Sequence, residues 1–188
     1  MEQTIRDIIK LSIKAFRLPR YEEIPEVGLY LEQTAYCLTE YLKPLDIAVT
    51  GSMISNYVKR GLVKNPVRKL YDREQIAYLL FIAVAKSVLS LEDIQLLIQL
   101  QKRTYDVRRA YEYFCREFEN ILYYVFGLKN FLDEVDNEPS DDKTMQRNTI
   151  ITVAHKIYLD QCISALREKG DLCEGKKGTR QEACPFSL

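Results

Sequence analysis

Apolar residues recur every three or four positions along most of the chain, and this period predicts helices rather than strands. The predicted helices are bounded by proline, glycine or a capping residue. They cover residues 3–16, 29–43, 51–60, 72–87, 90–100, 104–125 and 144–169. We therefore expect an all-α protein.

Several helix boundaries follow from single residues. The hydroxyl of Thr50 or Ser52 can cap the third predicted helix, and Gly61 can end it in a left-handed conformation. Asp72 is typical of an N-cap, and the run Ser90-Leu-Glu-Asp predicts a capping box at the start of the fifth helix.

Residues 62–71 interrupt the helical pattern. The segment is too short for another helix and contains Asn65-Pro66, so two brief extended arms around a turn fit it better. The resulting order is helix, turn, helix, two arms, helix, helix. That is the order of a winged helix-turn-helix, whose second helix lies in the DNA major groove. We therefore expect a small β wing here.

Charge is segregated along the chain although the totals cancel. There are 27 basic and 27 acidic residues, with 47% hydrophobic and 29% charged residues, as in ordinary globular proteins. Residues 50–73 carry six basic side chains and one acid, whereas residues 133–142 are strongly acidic. A local basic segment favours nucleic-acid binding at that segment rather than by the whole surface.

The basic segment also contains polar side chains suited to reading DNA. Asparagine can pair with adenine, and lysine with guanine or phosphate. We expect Ile54, Tyr57 and Val58 to face inward, which turns the polar residues of the same helix outward. The predicted DNA-binding residues are Ser52, Ser55, Asn56, Lys59, Arg60, Lys64, Arg68, Lys69 and Arg73.

Three runs of sequence resemble the DNA-binding domain of MerR-type regulators. They are Ser52-Met-Ile-Ser-Asn-Tyr-Val-Lys-Arg-Gly-Leu-Val, then Arg68-Lys-Leu-Tyr-Asp after Pro66, and Ser90-Leu-Glu-Asp-Ile. The resemblance implies a MerR-like winged helix-turn-helix that binds double-stranded DNA to regulate transcription. Ser55 and Asn56 depart from the residues usual in that recognition helix, so no sequence preference is implied.

A longer stretch, about residues 16–135, resembles a bacterial group called domain-of-unknown-function family 1836. Its segments include Leu18-Pro-Arg-Tyr-Glu-Glu-Ile-Pro and the region from Pro44 to Asp93. This resemblance implies a shared fold and brings no established activity with it.

We expect four regions along the chain. They are an N-terminal amphipathic helix (1–17), the MerR-like winged helix-turn-helix (18–100), a helical dimerisation or effector region (101–170) and a flexible tail (171–188). A seam of apolar residues over 104–125 suits either packing within the chain or a homodimer. The aromatic residues of the third region leave room for a small-molecule effector of unspecified identity.

The sequence contains none of the common catalytic motifs. It has no glycine-rich phosphate loop, no nucleophile elbow and a single histidine, His155, in an apolar turn of helix where we expect it partly buried. We therefore expect no enzyme activity, no metal site and no cofactor. Ten residues separate Cys173 from Cys184 and the pair lacks a metal-binding spacing, so we expect no redox or metal role for them.

Five scattered cysteines favour reduced thiols, and no apolar run is long enough to cross a membrane. We therefore expect a cytoplasmic protein without membrane contact. One alternative function stays open from the sequence. The chain can be a helical protein-protein interaction module that retains the winged-helix shape without binding DNA.

Overall fold

The computed structural model of the protein describes residues 4–133 and 141–168, apart from the side chains of residues 141, 142 and 168. Within them the α-helices are α1 Ile5–Ile13, α2 Leu31–Leu42, α3 Gly51–Lys59, α4 Arg73–Ala85, α5 Leu91–Thr104, α6 Val107–Val125 and α7 Asp141–Glu168. Short 3-10 turns occupy Tyr21–Glu23 and Lys43–Leu45. The all-α expectation is confirmed, and each helix lies within a few residues of its predicted bounds.

Helix α4 forms the centre of the protein. Its apolar residues lie all round the helix, and ten of its thirteen residues are buried. A helix that is apolar on every side must be covered on every side. Accordingly α2, α6 and α7 all pack against it.

The residues before α2 pack on the two C-terminal helices of the described chain, α6 and α7. Helix α1 packs on α7, and the Ser12 hydroxyl donates to Gln161 Oε1 at 2.8 Å. Further on, the Arg20 guanidinium donates to both oxygens of Glu119 on α6, at 2.9 and 2.7 Å. The N-terminal helix therefore shares its packing with the C-terminal helices.

The seam predicted over 104–125 is filled from within the chain. On α6 the side chains of Tyr111, Phe114, Phe118 and Ile121 are buried against α4 and α7. The rings of Phe114 and Phe118 stack with centroids 5.6 Å apart. Of the two arrangements that the sequence allowed for this seam, the structure adopts the intramolecular one.

Helix boundaries match their predicted capping residues. The Thr50 hydroxyl accepts from the Met53 amide, Asp72 forms a capping box with Gln75, and Gly61 has a φ of 76°. Ser90 caps α5 as predicted. The box is incomplete there, because the carboxylate three positions on accepts from the Ser90 hydroxyl rather than from its backbone amide.

The predicted β wing differs from what is observed. In residues 4–133 and 141–168 the only extended pairings are two isolated antiparallel bridges, Leu29 with Tyr71 and Val67 with Leu70. Residues 62–71 are therefore a short loop and turn rather than a pair of strands. None of the described helices is both long and apolar enough for a membrane span. The tail predicted over 171–188 lies outside the described residues.

Candidate nucleic-acid interface

Helix α3 has one buried face and one polar face. Ile54 and Tyr57 are buried and Val58 is half-buried, as the spacing predicted. Burial of these side chains turns the intervening residues to the solvent. The predicted residues exposed on the helix are Ser52, Ser55, Asn56 and Lys59.

A tight turn presents two of the predicted basic residues. The Leu70 amide donates to the Val67 carbonyl at 2.9 Å, which closes a four-residue turn. Its central residues, Arg68 and Lys69, have φ angles of 52° and 66° and are exposed. Positive φ at both central residues is the signature of a type I′ turn, which usually contains glycine or asparagine.

The base of this turn is attached to the start of α2. Leu29 and Tyr71 exchange two backbone hydrogen bonds, at 2.9 and 2.8 Å. Beside them, a Cβ added at Gly28 would lie 2.8 Å from Leu70 Cβ. Only a residue without a side chain lets the two backbones approach so closely.

The N-terminal end of α3 packs against the first turn of α2. A Cβ added at Gly51 would lie 2.6 Å from Glu32 Oε1 and 3.3 Å from Leu31 Cγ. Leu31 follows Leu29 by two residues. The first turn of α2 and the residues just before it therefore contact both the N-terminal end of α3 and the base of the 67–70 turn.

Lys64 is exposed between these two elements. Its backbone carbonyl accepts from the Gln75 side-chain amide at 2.8 Å. Gln75 in turn belongs to the capping box that opens α4. The backbone at Lys64 is thereby held in place while its ammonium group faces solvent.

Two predicted DNA-binding arginines are engaged within the chain. Arg60 pairs with Glu92 at 2.5 Å, with the two side chains 49% and 70% exposed. Such an exposed ion pair contributes little to stability, so Arg60 can exchange Glu92 for another anion.

Arg73 is more firmly held. Its Nε donates to the Ile24 carbonyl at 2.9 Å, its side chain pairs with Glu22, and its guanidinium lies 5.6 Å from the Tyr21 ring centroid. Only 20% of the side chain is exposed. These contacts link α4 to the segment before α2 through Arg73. The phosphate contact expected for Arg73 from the sequence stays a prediction.

Cysteines and other metal-ligating side chains are dispersed in the described part of the chain. No group of three metal-ligating side chains occurs there, and Cys37, Cys115 and Cys162 are free thiols. Burial raises the pKa of Cys115 to about 12, which makes this thiol unreactive. His155, expected to be partly buried, is exposed.

The position of Cys173 and Cys184 lies outside the described residues. The expectation that they have no metal or redox role stays a prediction.

These features define an all-helical protein with a polar helix and a basic turn attached to one helix start. The family model described as Domain of unknown function (DUF1836) matches residues 19–114. The chain belongs to that family. No curated protein and no solved structure matches it.

The contacts that fix the positions of α3 and the 67–70 turn were not predicted from the sequence. Gly28, next to an apolar residue and outside any predicted turn, was a signal for a close backbone approach. Glu22 was a signal for a basic partner, but nothing in the sequence identifies Arg73, 51 residues away, as that partner.

Proposed function

We propose that the protein is a DNA-binding transcriptional regulator that contacts a duplex with α3 and the 67–70 turn together. In this proposal α2 to α5 act as a MerR-like winged helix-turn-helix whose wing is reduced to the turn. Asn56, Ser52 and Ser55 meet base edges or sugars in the major groove. Lys59, Lys64, Arg68 and Lys69 meet phosphates.

The observation that carries the proposal is the shared attachment of α3 and the turn to the start of α2. A recognition helix and a wing bind one duplex more tightly when their relative position is fixed before binding, because less ordering has to occur on association. The Leu29–Tyr71 hydrogen bonds and the contact of Gly51 with Leu31 supply such a fixed position.

The turn itself is a second supporting observation. Arg68 and Lys69 occupy a conformation that costs non-glycine residues about 1–2 kcal/mol each. Backbone strain of this kind is concentrated at functional sites. Exposed basic side chains at a strained tip suit a phosphate contact better than a purely structural turn does.

Fluorescence anisotropy with a labelled duplex of random sequence tests the proposal. At about 50 mM salt the protein should bind with micromolar affinity and lose it steeply as salt increases. Four exposed cations predict a slope of log affinity against log salt of about −3.6 per protomer. Absence of binding at low salt would contradict the proposal. Light scattering on the same samples shows whether the chain acts as the homodimer we propose, which would double the slope.

A second candidate is a protein-interaction module without DNA binding. It is favoured by apolar side chains exposed beside the turn: Val27 next to Gly28, Tyr30 at the start of α2, and Val67 in the turn, at 79%, 56% and 73% exposure. Exposed apolar groups that lie together commonly mark protein contacts. The anisotropy titration separates the two, because an apolar interface gives no salt-dependent association with DNA.

A further inference from the structure

A cavity of about 60 Å³ lies among α4, α5, α6 and α7, away from α3 and its turn. Its walls are mainly apolar and aromatic, with Phe81 from α4, Leu97 from α5 and Phe114 from α6. Walls of this kind exclude water from a bound apolar group, as in most small-molecule sites. The cavity is therefore suited to an alkyl group of a ligand.

The polar groups of the cavity wall are hydrogen-bonded to each other. The Tyr78 hydroxyl donates to Gln101 Oε1 at 3.2 Å, and Gln101 Nε2 donates to the Tyr105 carbonyl at 2.7 Å. On the α7 side, the Lys143 ammonium lies 5.6 Å from the centroid of the Tyr105 ring. The cavity therefore selects its occupant by shape and apolar character, and a ligand needs no charge inside it.

A larger groove of about 410 Å³ adjoins this cavity. Tyr78, Tyr105 and Val107 line both spaces, so a ligand can extend from one into the other. The groove differs from the cavity in carrying charge. The charged residues that line it are Lys64, Glu74, Lys102, Asp106 and Arg108.

Three of these charged residues have roles of their own. Arg108 pairs with Glu22 at 3.1 Å. The Asp106 carboxylate caps α6 by accepting from the Arg109 amide at 2.9 Å. Lys64 is a phosphate contact in the DNA-binding proposal. One acid and one base of the groove remain, Glu74 and Lys102.

Glu74 and Lys102 both lie close to Tyr78. The Lys102 ammonium is 4.6 Å from the centroid of the Tyr78 ring. Burial and, to a smaller extent, the charge of Glu74 raise the pKa of the Tyr78 hydroxyl. Within residues 4–133 and 141–168, neither Glu74 nor Lys102 forms an ion pair or a side-chain hydrogen bond. A carboxylate and an ammonium that share a groove without neutralising each other are complementary to a zwitterion.

We infer that the cavity and the groove together bind a free α-amino acid with an apolar side chain of about four carbons. Its ammonium group binds Glu74, its carboxylate binds Lys102, and its side chain enters the cavity. The size follows from the volume, because a water-sized group needs about 10–15 Å³ and a cavity of 60 Å³ holds about four such groups.

This inference is independent of DNA binding and is tested on the full chain without DNA. Alanine methyl groups labelled with carbon-13 report directly, since Ala77 and Ala110 both line the cavity. The probes are L-alanine, L-2-aminobutanoate, L-norvaline and L-norleucine, whose unbranched side chains increase from one carbon to four. Each added methylene should tighten binding about fourfold, with saturable shifts at these two methyl groups. Shifts that do not saturate, or an affinity independent of chain length, would overturn the inference.

The need for both charges is tested on the wild-type chain. Hexanoate is norleucine without its ammonium group, and pentylamine is norleucine without its carboxylate. Each should bind about tenfold more weakly than L-norleucine, because each loses one charge-assisted hydrogen bond. Hexanoate or pentylamine binding as tightly as L-norleucine would contradict a site for zwitterions, whatever the behaviour of any variant.

Variants then locate the two charged ends of the ligand. Glu74→Gln should weaken L-norleucine about tenfold while leaving hexanoate nearly unchanged, and Lys102→Gln should do the same while leaving pentylamine nearly unchanged. Glu40→Gln on α2 and Lys156→Gln on α7 are matched changes elsewhere and should affect none of the three ligands. Ala110→Leu should fill the cavity and weaken all three. Equal losses of L-norleucine and hexanoate in Glu74→Gln would show that Glu74 only supports the fold, and would overturn its assigned role.

Discussion

Leu29 and Tyr71 are 42 residues apart and exchange both backbone hydrogen bonds, at 2.9 Å and 2.8 Å. This single antiparallel pair attaches the 67–70 turn to the start of α2, on which the N-terminal end of α3 also rests. The relative position of the two proposed DNA-contacting elements therefore depends on a very small number of contacts.

The close approach at Gly28 is the first of these contacts to test. Gly28→Ala places a methyl group 2.8 Å from Leu70 Cβ, so one backbone must move. We expect a loss of about 1–3 kcal/mol in the free energy of unfolding, measured by urea denaturation, together with weaker DNA binding. Val27→Ala, at an exposed neighbouring position, serves as the control and should leave the unfolding free energy unchanged.

The turn residues should affect stability and binding in opposite directions. Replacing Arg68 by Asn and Lys69 by Gly supplies the residues that a type I′ turn favours. We expect the unfolding free energy to increase by about 1–2 kcal/mol and DNA affinity to fall. Replacing both Arg68 and Lys69 by Ala removes the same two charges but keeps both Cβ atoms, and should weaken binding without the increase in stability. A doubly substituted turn that binds DNA as well as the wild type would remove the turn from the interface.

The two engaged arginines should behave differently from each other. Arg73→Ala removes hydrogen bonds to the Glu22 carboxylate and to the backbone carbonyl of the buried residue Ile24, so the unfolding free energy should fall by about 1.5–3 kcal/mol. Arg60→Ala breaks an exposed pair with Glu92 and should cost less than about 1 kcal/mol. Thermal or urea unfolding of both variants checks this order. The reverse order would contradict the structural role given to Arg73.

A buried carboxylate on α6 predicts an unusual pH dependence. The Glu117 side chain is 1% exposed, and Arg147 Nε lies 2.8 Å from its Oε1. Even so, neither carboxylate oxygen has a hydrogen bond of good geometry to the described residues. Burial raises the pKa of Glu117, and the charge of Arg147 together with the nearby Asn120 side-chain amide offsets only part of that rise.

A raised pKa means that the folded state binds the proton more tightly than the unfolded state does. The stability contributed by Glu117 is therefore full below the unfolded pKa of about 4.3 and is lost as the pH increases through the folded pKa. Glu117→Gln should remove this loss, so in urea unfolding the variant should become more stable relative to the wild type over the pH range above the unfolded pKa of about 4.3. If the unfolding free energy of the variant instead falls relative to the wild type over this range, the ion pair with Arg147 stabilises the ionised Glu117 by more than burial destabilises it.

Local features of the sequence predicted most of the fold. The helical period, the cap at Thr50 and the left-handed Gly61 depend on near neighbours, and all were confirmed. The burial of Ile54 and Tyr57 followed from spacing alone, and with it the exposed face of α3. These features are readable because each is decided within one or two helical turns.

The remaining features depend on residues distant in sequence. The turn at Arg68 and Lys69 contains no glycine or asparagine, the residues from which a positive φ could have been predicted. The pairing of Arg73 with Glu22 and the cavity beside Lys143 both arise only when separate helices come together. Amphipathic spacing on α6 showed that the seam would be buried, but it did not show what would cover it.

The salt dependence of DNA binding by charge variants tests the central claim, that α3 and the turn contact one duplex together. Lys59→Ala and Lys69→Ala should each lower the magnitude of the log–log slope by about 0.9, and the double variant by about 1.8 per protomer. As a control, the exposed Lys14 at the end of α1 and the exposed Lys156 on α7 are both replaced by Ala. This double variant removes the same charge and should leave the slope unchanged. An unchanged slope in the Lys59 and Lys69 double variant would contradict the account.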